Sequence, residues 1–451
     1  MEKMEMKKMK MKKKKMKMKN LKLLAAGLAM TASLTACGSS ARETVQSADS
    51  STETQANSAM QTENSQAQEA APGETAEMTL ILRGGSYAEV IKKALPDFEA
   101  DHNCKIEVLE MSFDDLHTGI ALDAVNETGT YDLCMVDGSW MAEFTENNVL
   151  ANLSEMGYQF DDDIIPNTTR ICMVGDDIYL APYFGNVTVM LYNKANVEAA
   201  GYKPEEITTL EDMLAVAKAS KESGINGFAY RGDTGDNIVS DFLPILLAYG
   251  GWVVDDNNKP SVNTAEFSEA MNYYTELIKT GAAMSKDDVT AAVDNGSAAL
   301  AIGWPGWYVP SADSAANYMV SPAKASKDGQ VYNTSEYGTW TIGIPANSPH
   351  PDLAYELLQY IMDPQVQLES IANGGVPCRY SCLTNEEILN EYPHLETVCK
   401  ALESGVYRPA IAEWTEFTNI LGAEMGSIMA GVKTTEQGLA DAQAQLELLM
   451  Q

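Results

Sequence analysis

Between residues 78 and 146, short apolar runs alternate with segments whose apolar residues recur every three or four positions. Met78-Thr-Leu-Ile-Leu-Arg83 has the length of a buried strand and is stopped by Gly84-Gly85. Val90, Ile91, Ala94, Leu95 and Phe98 then fall at helical spacing, which predicts a helix over Tyr87 to Ala100 with Pro96 as a possible kink. Lys105 to Met111 reads as a second strand, Phe113 to Val125 as a helix, and Tyr131 to Val136 as a third strand, with another helix from Ser139. Strands alternating with helices indicate βαβ units and a parallel sheet. The second half keeps this pattern. Thr209 and Asp212 form a capping box that opens a helix to about Glu222. Phe267, Ala270, Met271, Tyr274 and Ile278 share one helical face, as do Leu353, Ala354, Leu357, Leu358 and Ile361, with Pro364 as the stop. Thr434 to Leu449 is a closing helix, and no internal repeat is evident.

The chain has 451 residues and 45% hydrophobic residues, too long for a single core and too apolar for general disorder. Residues 78–451 therefore imply two α/β lobes. The formal charge of −33 conceals a polar division: residues 1–36 carry 11 Lys and 2 Glu, and the remainder has a net charge of −42. A surface that acidic disfavours nucleic acid, whose binding depends on Lys and Arg displacing counterions. It also disfavours peripheral docking on anionic lipid.

The basic leader runs into an apolar stretch from Leu21 to Ala36, shorter than the roughly 20 residues that span a bilayer. That combination marks residues 1–36 as a secretory signal peptide. Leu34-Thr35-Ala36-Cys37-Gly38 resembles a bacterial lipobox, in which Cys37 is acylated and becomes the mature N-terminus. From Gly38 to Ala76 there is no aromatic residue, and Val45 and Met60 are the only large aliphatic ones. Such a segment buries too little apolar surface to offset its chain entropy, so residues 37–77 read as a lipidated Cys and a flexible tether.

Several segments after the tether carry a family resemblance. Tyr179 to Lys194, YLAPYFGNVTVMLYNK, resembles the first crossing between lobes in the extracellular solute-binding proteins of carbohydrate ABC importers. Ala200 to Ala219 resembles the turn and helix that follow, and Asn295 to Gly303 a small-residue return segment. Gly338 to Ser348 resembles a second return, Gly374 to Arg379 a later loop, and Arg408-Pro409 with Gly431 the closing region. The resemblance implies a two-lobed, type II periplasmic-binding-protein-like clamshell with hinge strands. It implies a first lobe of residues 78–184 and 295–337 and a second of 185–294 and 338–451. It further implies a monomer, anchored on the extracellular face of the cell membrane, that captures a sugar and delivers it to ABC permease subunits. No cofactor, metal or nucleic acid enters that scheme.

Ligands of open α/β sheets sit at the carboxyl ends of strands. That rule selects Ser86 and Tyr87 after the first strand, and Asp137 and Trp140 after the third. Sugars present hydroxyls to carboxylates and guanidinium groups, and apolar C–H faces to aromatic rings. Trp140, Trp304, Trp307 and Trp340 fall on loops that the resemblance assigns to ligand, although tryptophan also packs in cores. Asp137 either accepts sugar hydroxyls or caps the next helix. Arg231 and Asp236 lie in a polar loop of the second lobe, which serves either ligand or solvent. Arg231-Gly232-Asp233 also spells an integrin-binding tripeptide, a three-residue match that recurs by chance. Tyr183 and Asn186 lie near the expected hinge. Arg379, after Gly374-Gly375, is either a ligand residue or half of a surface salt bridge.

Other chemistries lack their signatures. The four His residues include no metal-spaced pair, and neither HExxH, G-x-S-x-G nor a Walker loop occurs. Asp161 to Asp163 and Asp255-Asp256 lack the calcium-loop pattern. Cys134 and Cys172 read as small buried residues, while Cys378 and Cys382 are spaced closely enough to allow a disulfide. Three alternatives stand beside a sugar carrier: the same fold holding a polyamine or other cationic solute, a secreted carbohydrate-active enzyme using two carboxylates, and a sensor or adhesin without a permease.

Overall fold

A computed structural model describes residues 75–232, 235–311, 313–324 and 332–451. The leader, Cys37, the tether up to residue 74 and Asp233 lie outside the described residues. The first apolar run forms β1 (Ala76–Arg83), which buries Met78, Leu80, Ile81 and Leu82. Helix α1 (Ser86–His102) follows and continues through Pro96. Next come β2 (Cys104–Met111), helix α2 (Phe113–Asp123) and β3 (Leu133–Asp137), all buried in the last case. The chain then forms β4 (Ala181–Phe184) and leaves this layer.

A second layer starts at β5 (Val189–Asn193). It adds β6 (Asn226–Arg231), helix α3 (Asp236–Ala248), β7 (Ala282–Met284), β8 (Ala298–Gly303) and β9 (Ala316–Met319). The chain returns through β10 (Glu336–Tyr337) to β11 (Trp340–Gly343). It crosses again at β12 (Val406–Tyr407), which pairs in parallel with β10, and ends in helix α4 (Trp414–Met429) and a last helix, Thr435–Leu449.

The strands form two five-stranded sheets, ordered β2-β1-β3-β11-β4 and β9-β5-β8-β6-β7. Both are mixed rather than purely parallel. In the first, β1 runs parallel to β2 and β3, but β11 is antiparallel to β3 and β4. In the second, β8 is parallel to β6 and antiparallel to β5. The antiparallel strands are those entering from the crossings, where the chain arrives without an intervening helix.

This pairing corrects the expected division of the lobes. The resemblance implies that residues 298–303 belong to the first lobe, yet β8 lies between β5 and β6 in the second sheet. It implies that residues 340–343 belong to the second lobe, yet β11 lies between β3 and β4 in the first sheet. Helical residues such as Leu357 and Leu402 pack in the first core, whereas Phe417 and Leu421 pack with Phe228 and Phe242 in the second. A buried six-residue run such as Ala298–Gly303 suits either sheet, because its apolar pattern carries no record of which neighbours it will bond.

Two close approaches depend on glycine. A Cβ at Gly227 on β6 would lie 2.0 Å from the Ala217 carbonyl oxygen, so the capped helix Leu210–Glu222 rests directly on the sheet. A Cβ at Gly306 would lie 2.9 Å from the Phe184 ring, so the loop after β8 lies against the first lobe. The six described cysteines are all buried and unpaired, Cys378 and Cys382 included.

Candidate functional site

The carboxyl ends of β1, β3, β6 and β8, with the amino end of the antiparallel β11, face a cleft of about 280 Å³. Arg83 and Tyr87, at the end of β1 and the start of α1, line its first-lobe wall with Asp137, Phe113, Asp114 and Trp340. Asp137 and Trp340 are neighbours because β3 and β11 pair in register at these two residues. Asn186, Gly338 and Arg408 come from the crossings. The second-lobe wall takes Arg231 from β6, Asp236, Asn237 and Ser240 from α3, and Trp304 and Trp307 from the loop after β8. Lys286 and the α4 residues Trp414, Thr415, Thr418 and Asn419 complete it.

Aromatic packing fixes these positions. Trp340 lies against Tyr87 at 5.7 Å between ring centroids, Phe113 at 6.0 Å and Trp140 at 5.8 Å. Tyr87 meets Phe184 edge-on at 4.8 Å, and burial pushes its hydroxyl pKa up to about 12. It therefore stays protonated across the physiological range. Trp307 lies under the Arg231 guanidinium at 5.0 Å, and Trp304 under that of Arg408 at 5.7 Å. Each cation rests on the negative face of its ring.

The charged groups are mostly paired. Arg231 is buried and bonds Asp241 through Nε at 2.9 Å and Nη2 at 2.5 Å. Asp137 accepts the Ser139 N–H at 3.0 Å and its hydroxyl at 2.7 Å on Oδ1, so it does cap the following turn. Its other oxygen lies 3.8 Å from Arg408. Desolvation raises the Asp137 pKa, and the Arg408 charge opposes that rise. Buried polar atoms without a hydrogen-bond partner include Asn186 Oδ1, Asp236 Oδ1 and Trp414 Nε1, all on cleft-lining residues. Asp236 Oδ1 has only the Arg408 guanidinium nearby, at 3.5 Å, while the Asn186 acceptor and the Trp414 donor have no hydrogen-bond partner in the cleft, and buried polar groups are nearly always satisfied by something.

Of the residues selected from sequence, Tyr87, Asp137, Asn186, Arg231, Asp236, Trp304, Trp307 and Trp340 come together on the cleft walls. Four others lie elsewhere. Ser86 donates its hydroxyl to the Gly306 carbonyl at 2.7 Å, joining the start of α1 to the loop after β8. Trp140 is 2% exposed and backs Trp340 as part of the core. Tyr183 lines a small cavity beneath α1 with Ile91, Ile361 and Gln367. Arg379 is buried and bonds Asp161 at 2.5 Å and the Met362 carbonyl at 2.6 Å, so it pins the turn at Asp161 to Asp163. Arg83, Phe113, Lys286, Arg408 and the α4 residues were not selected. Arg408 had a signal, since Arg408-Pro409 marks the last crossing. The α4 residues had none, because only tertiary packing turns the start of that helix toward the cleft.

Among the described residues, no cluster of His, Cys, Asp and Glu has the arrangement to hold a metal ion. No described helix is long and apolar enough to cross a membrane.

Two α/β lobes joined by crossing strands, with an aromatic and polar cleft between them, define a solute-binding clamshell. The chain belongs to the bacterial extracellular solute-binding proteins, whose family model matches residues 83–368. A probable amino-acid ABC transporter periplasmic-binding protein of Sinorhizobium fredii is 20% identical, over 81% of this chain and 87% of its own length. A mannitol-binding protein of Pseudomonas aeruginosa is 21% identical, over 80% and 89%. An arabinooligosaccharide-binding protein of Bacillus subtilis is 22% identical, over 61% and 65%. Among solved structures, the maltose-bound MalE3 of T. maritima superposes with a TM-score of 0.75 at 22% identity, covering 83% of this chain and all of that one. A ribitol complex of a solute-binding protein from Agrobacterium radiobacter gives 0.74 at 23% identity, covering 84% and 100%. At these identities the superpositions establish the fold.

Proposed function

We propose that this chain is a lipoprotein, anchored through Cys37 on the extracellular face of the membrane, that captures a sugar or oligosaccharide for an ABC permease. It acts as a monomer and leaves the solute chemically unchanged. The observation that carries this reading is the wall chemistry. Trp304, Trp307, Trp340 and Trp414 share one cleft with the unpartnered Oδ1 of Asn186 and the carboxylate of Asp236. Rings take the C–H faces of a sugar at low entropic cost, and the oxygens accept its hydroxyls. Relatives named for mannitol and arabinooligosaccharide add support. A polyamine fits less well, because Arg83, Arg231, Lys286 and Arg408 set four cations on the walls against the three aspartates Asp114, Asp137 and Asp236.

Capture follows from geometry. A solute bound on one wall is enclosed when the hinge rotates, and only stronger binding to the closed form drives that rotation. The test is thermal unfolding of residues 70–451 against sugars, polyamines and amino acids. A ligand at 100 times its dissociation constant adds about 2.7 kcal/mol of stability. A shift with one sugar class, and recovery of that sugar intact, supports the reading. A shift with spermidine alone, with amino acids alone, or with no member of the panel rejects it, and a chemically altered sugar indicates an enzyme. Loss of palmitate labelling in Cys37→Ala tests the anchor.

A further inference from the structure

One guanidinium serves three carboxyl groups from three parts of the fold. Arg408, between β12 and α4, donates from Nε to Glu336 of β10. Its Nη1 lies 3.5 Å from Asp236 at the start of α3, in the second lobe, and 3.8 Å from Asp137 at the end of β3, in the first. Its Nη2 donates to Ser240 Oγ at 2.9 Å, again in the second lobe. Arg408 is 7% exposed, and Trp304 covers one face of it. Gly338 leaves room for that stack, since a Cβ there would lie 2.8 Å from Trp304 and 3.4 Å from the guanidinium.

We propose that Arg408 is the positioning residue that couples the two lobes: it holds Asp137 of one and Asp236 of the other on a single positive charge, and so sets the lobe angle at which the cleft is assembled. The proposal is independent of the solute the cleft takes. Without Arg408 the two carboxylates would lose the cation they share on the cleft walls, and like charges there drive the walls apart. A lysine would keep the charge but lose the fork that reaches β10, α3 and β3 at once.

The third carboxyl makes the device sensitive to pH. Glu336 is 0% exposed, and its Oε2 has no hydrogen-bond partner. The charged groups bearing on it are Arg408, Asp236 and Asp137. Arg231 opposes Arg408 from β6, and Tyr87 faces Asp137 with its hydroxyl protonated. Burial raises the Glu336 pKa to about 8, with Arg408 opposing and both aspartates reinforcing the rise. Below that pH Arg408 serves the two aspartates, and above it all three carboxylates, so alkaline conditions load the device toward opening.

The test is small-angle scattering and tryptophan fluorescence on the folded chain without any ligand, between pH 6 and 9. The wild type should expand and change its Trp emission as pH rises through about 8. Arg408→Gln should be expanded already at pH 6, and Arg408→Lys should fall between it and the wild type. Glu336→Gln should stay compact up to pH 9. Circular dichroism at each pH establishes that the variants are folded, and Asp236→Asn stands in if Arg408→Gln is not. It removes one of the facing charges and should move the expansion to higher pH. A wild-type radius and pH profile in Arg408→Lys and in Asp236→Asn, or a pH-independent wild type, would overturn the proposal. Because no sugar is present, that outcome leaves the transport reading untouched.

Discussion

His394 is 4% exposed, its Nδ1 has no hydrogen-bond partner, and burial lowers its pKa to about 4. In the unfolded chain the same ring titrates near 6.5. As pH falls from about 6.5 to about 4, the unfolded state takes a proton that the folded state refuses, so stability declines across that window. Replacement by Leu should flatten the acid side of a melting-temperature profile between those values. Trp307 and Trp140 allow a contrast of function with packing. Trp307→Ala removes a half-buried ring that also braces Arg231, and it should weaken sugar binding roughly 10-fold, from about 1–2 kcal/mol of lost ring and cation–π contact. Trp140→Ala removes a core ring and should cost about 3–5 kcal/mol of stability by denaturant titration. Sequence selected both as equals. What separates them is one layer of depth: Trp340 stands between Trp140 and the cleft.

Elements were legible where their signals are local. The strands expected at Met78 to Arg83 and Lys105 to Met111 form at Ala76–Arg83 and Cys104–Met111. The capping box is complete: Thr209 Oγ1 accepts the Asp212 N–H at 3.1 Å, and Asp212 Oδ2 accepts the Thr209 N–H at 3.0 Å. Thr209→Ala should destabilise by about 1 kcal/mol. Gly227→Ala should cost more, about 1–3 kcal/mol or beyond, because its Cβ would meet rigid backbone on the helix that Thr209 caps. Urea unfolding of the two variants checks the order. Nothing in the sequence around Gly227 reveals this demand, which arises only when helix and strand are brought face to face. The same limit explains the misplaced lobes, since a strand's apolar run records its burial and not its partner.

At the scale of the whole molecule, the two sheets are joined by three crossings: residues 185–188 between β4 and β5, the return from β9 through β10 to β11, and residues 408–413 between β12 and α4. Three connections restrict the lobes to hinge rotation rather than free tumbling. Cleft closure by a bound sugar should therefore reduce the radius of gyration in scattering while leaving the far-ultraviolet circular dichroism unchanged. Trp414→Ala should weaken that sugar, because it removes an unpartnered Nε1–H donor from the second-lobe wall.

The sequence by itself determined the alternation of strand and helix, the need for two lobes, and the aromatic and charged residues available at strand ends. These depend on short windows, where side-chain period, capping and turn chemistry act within a few residues. Only the tertiary structure decided which sheet received β8 and β11, which tryptophans reached the cleft, and that Arg379 would pin a turn while Arg408 joined both lobes. Those outcomes depend on groups as far apart in sequence as Asp137 and Arg408, which become neighbours only after the last crossing has paired.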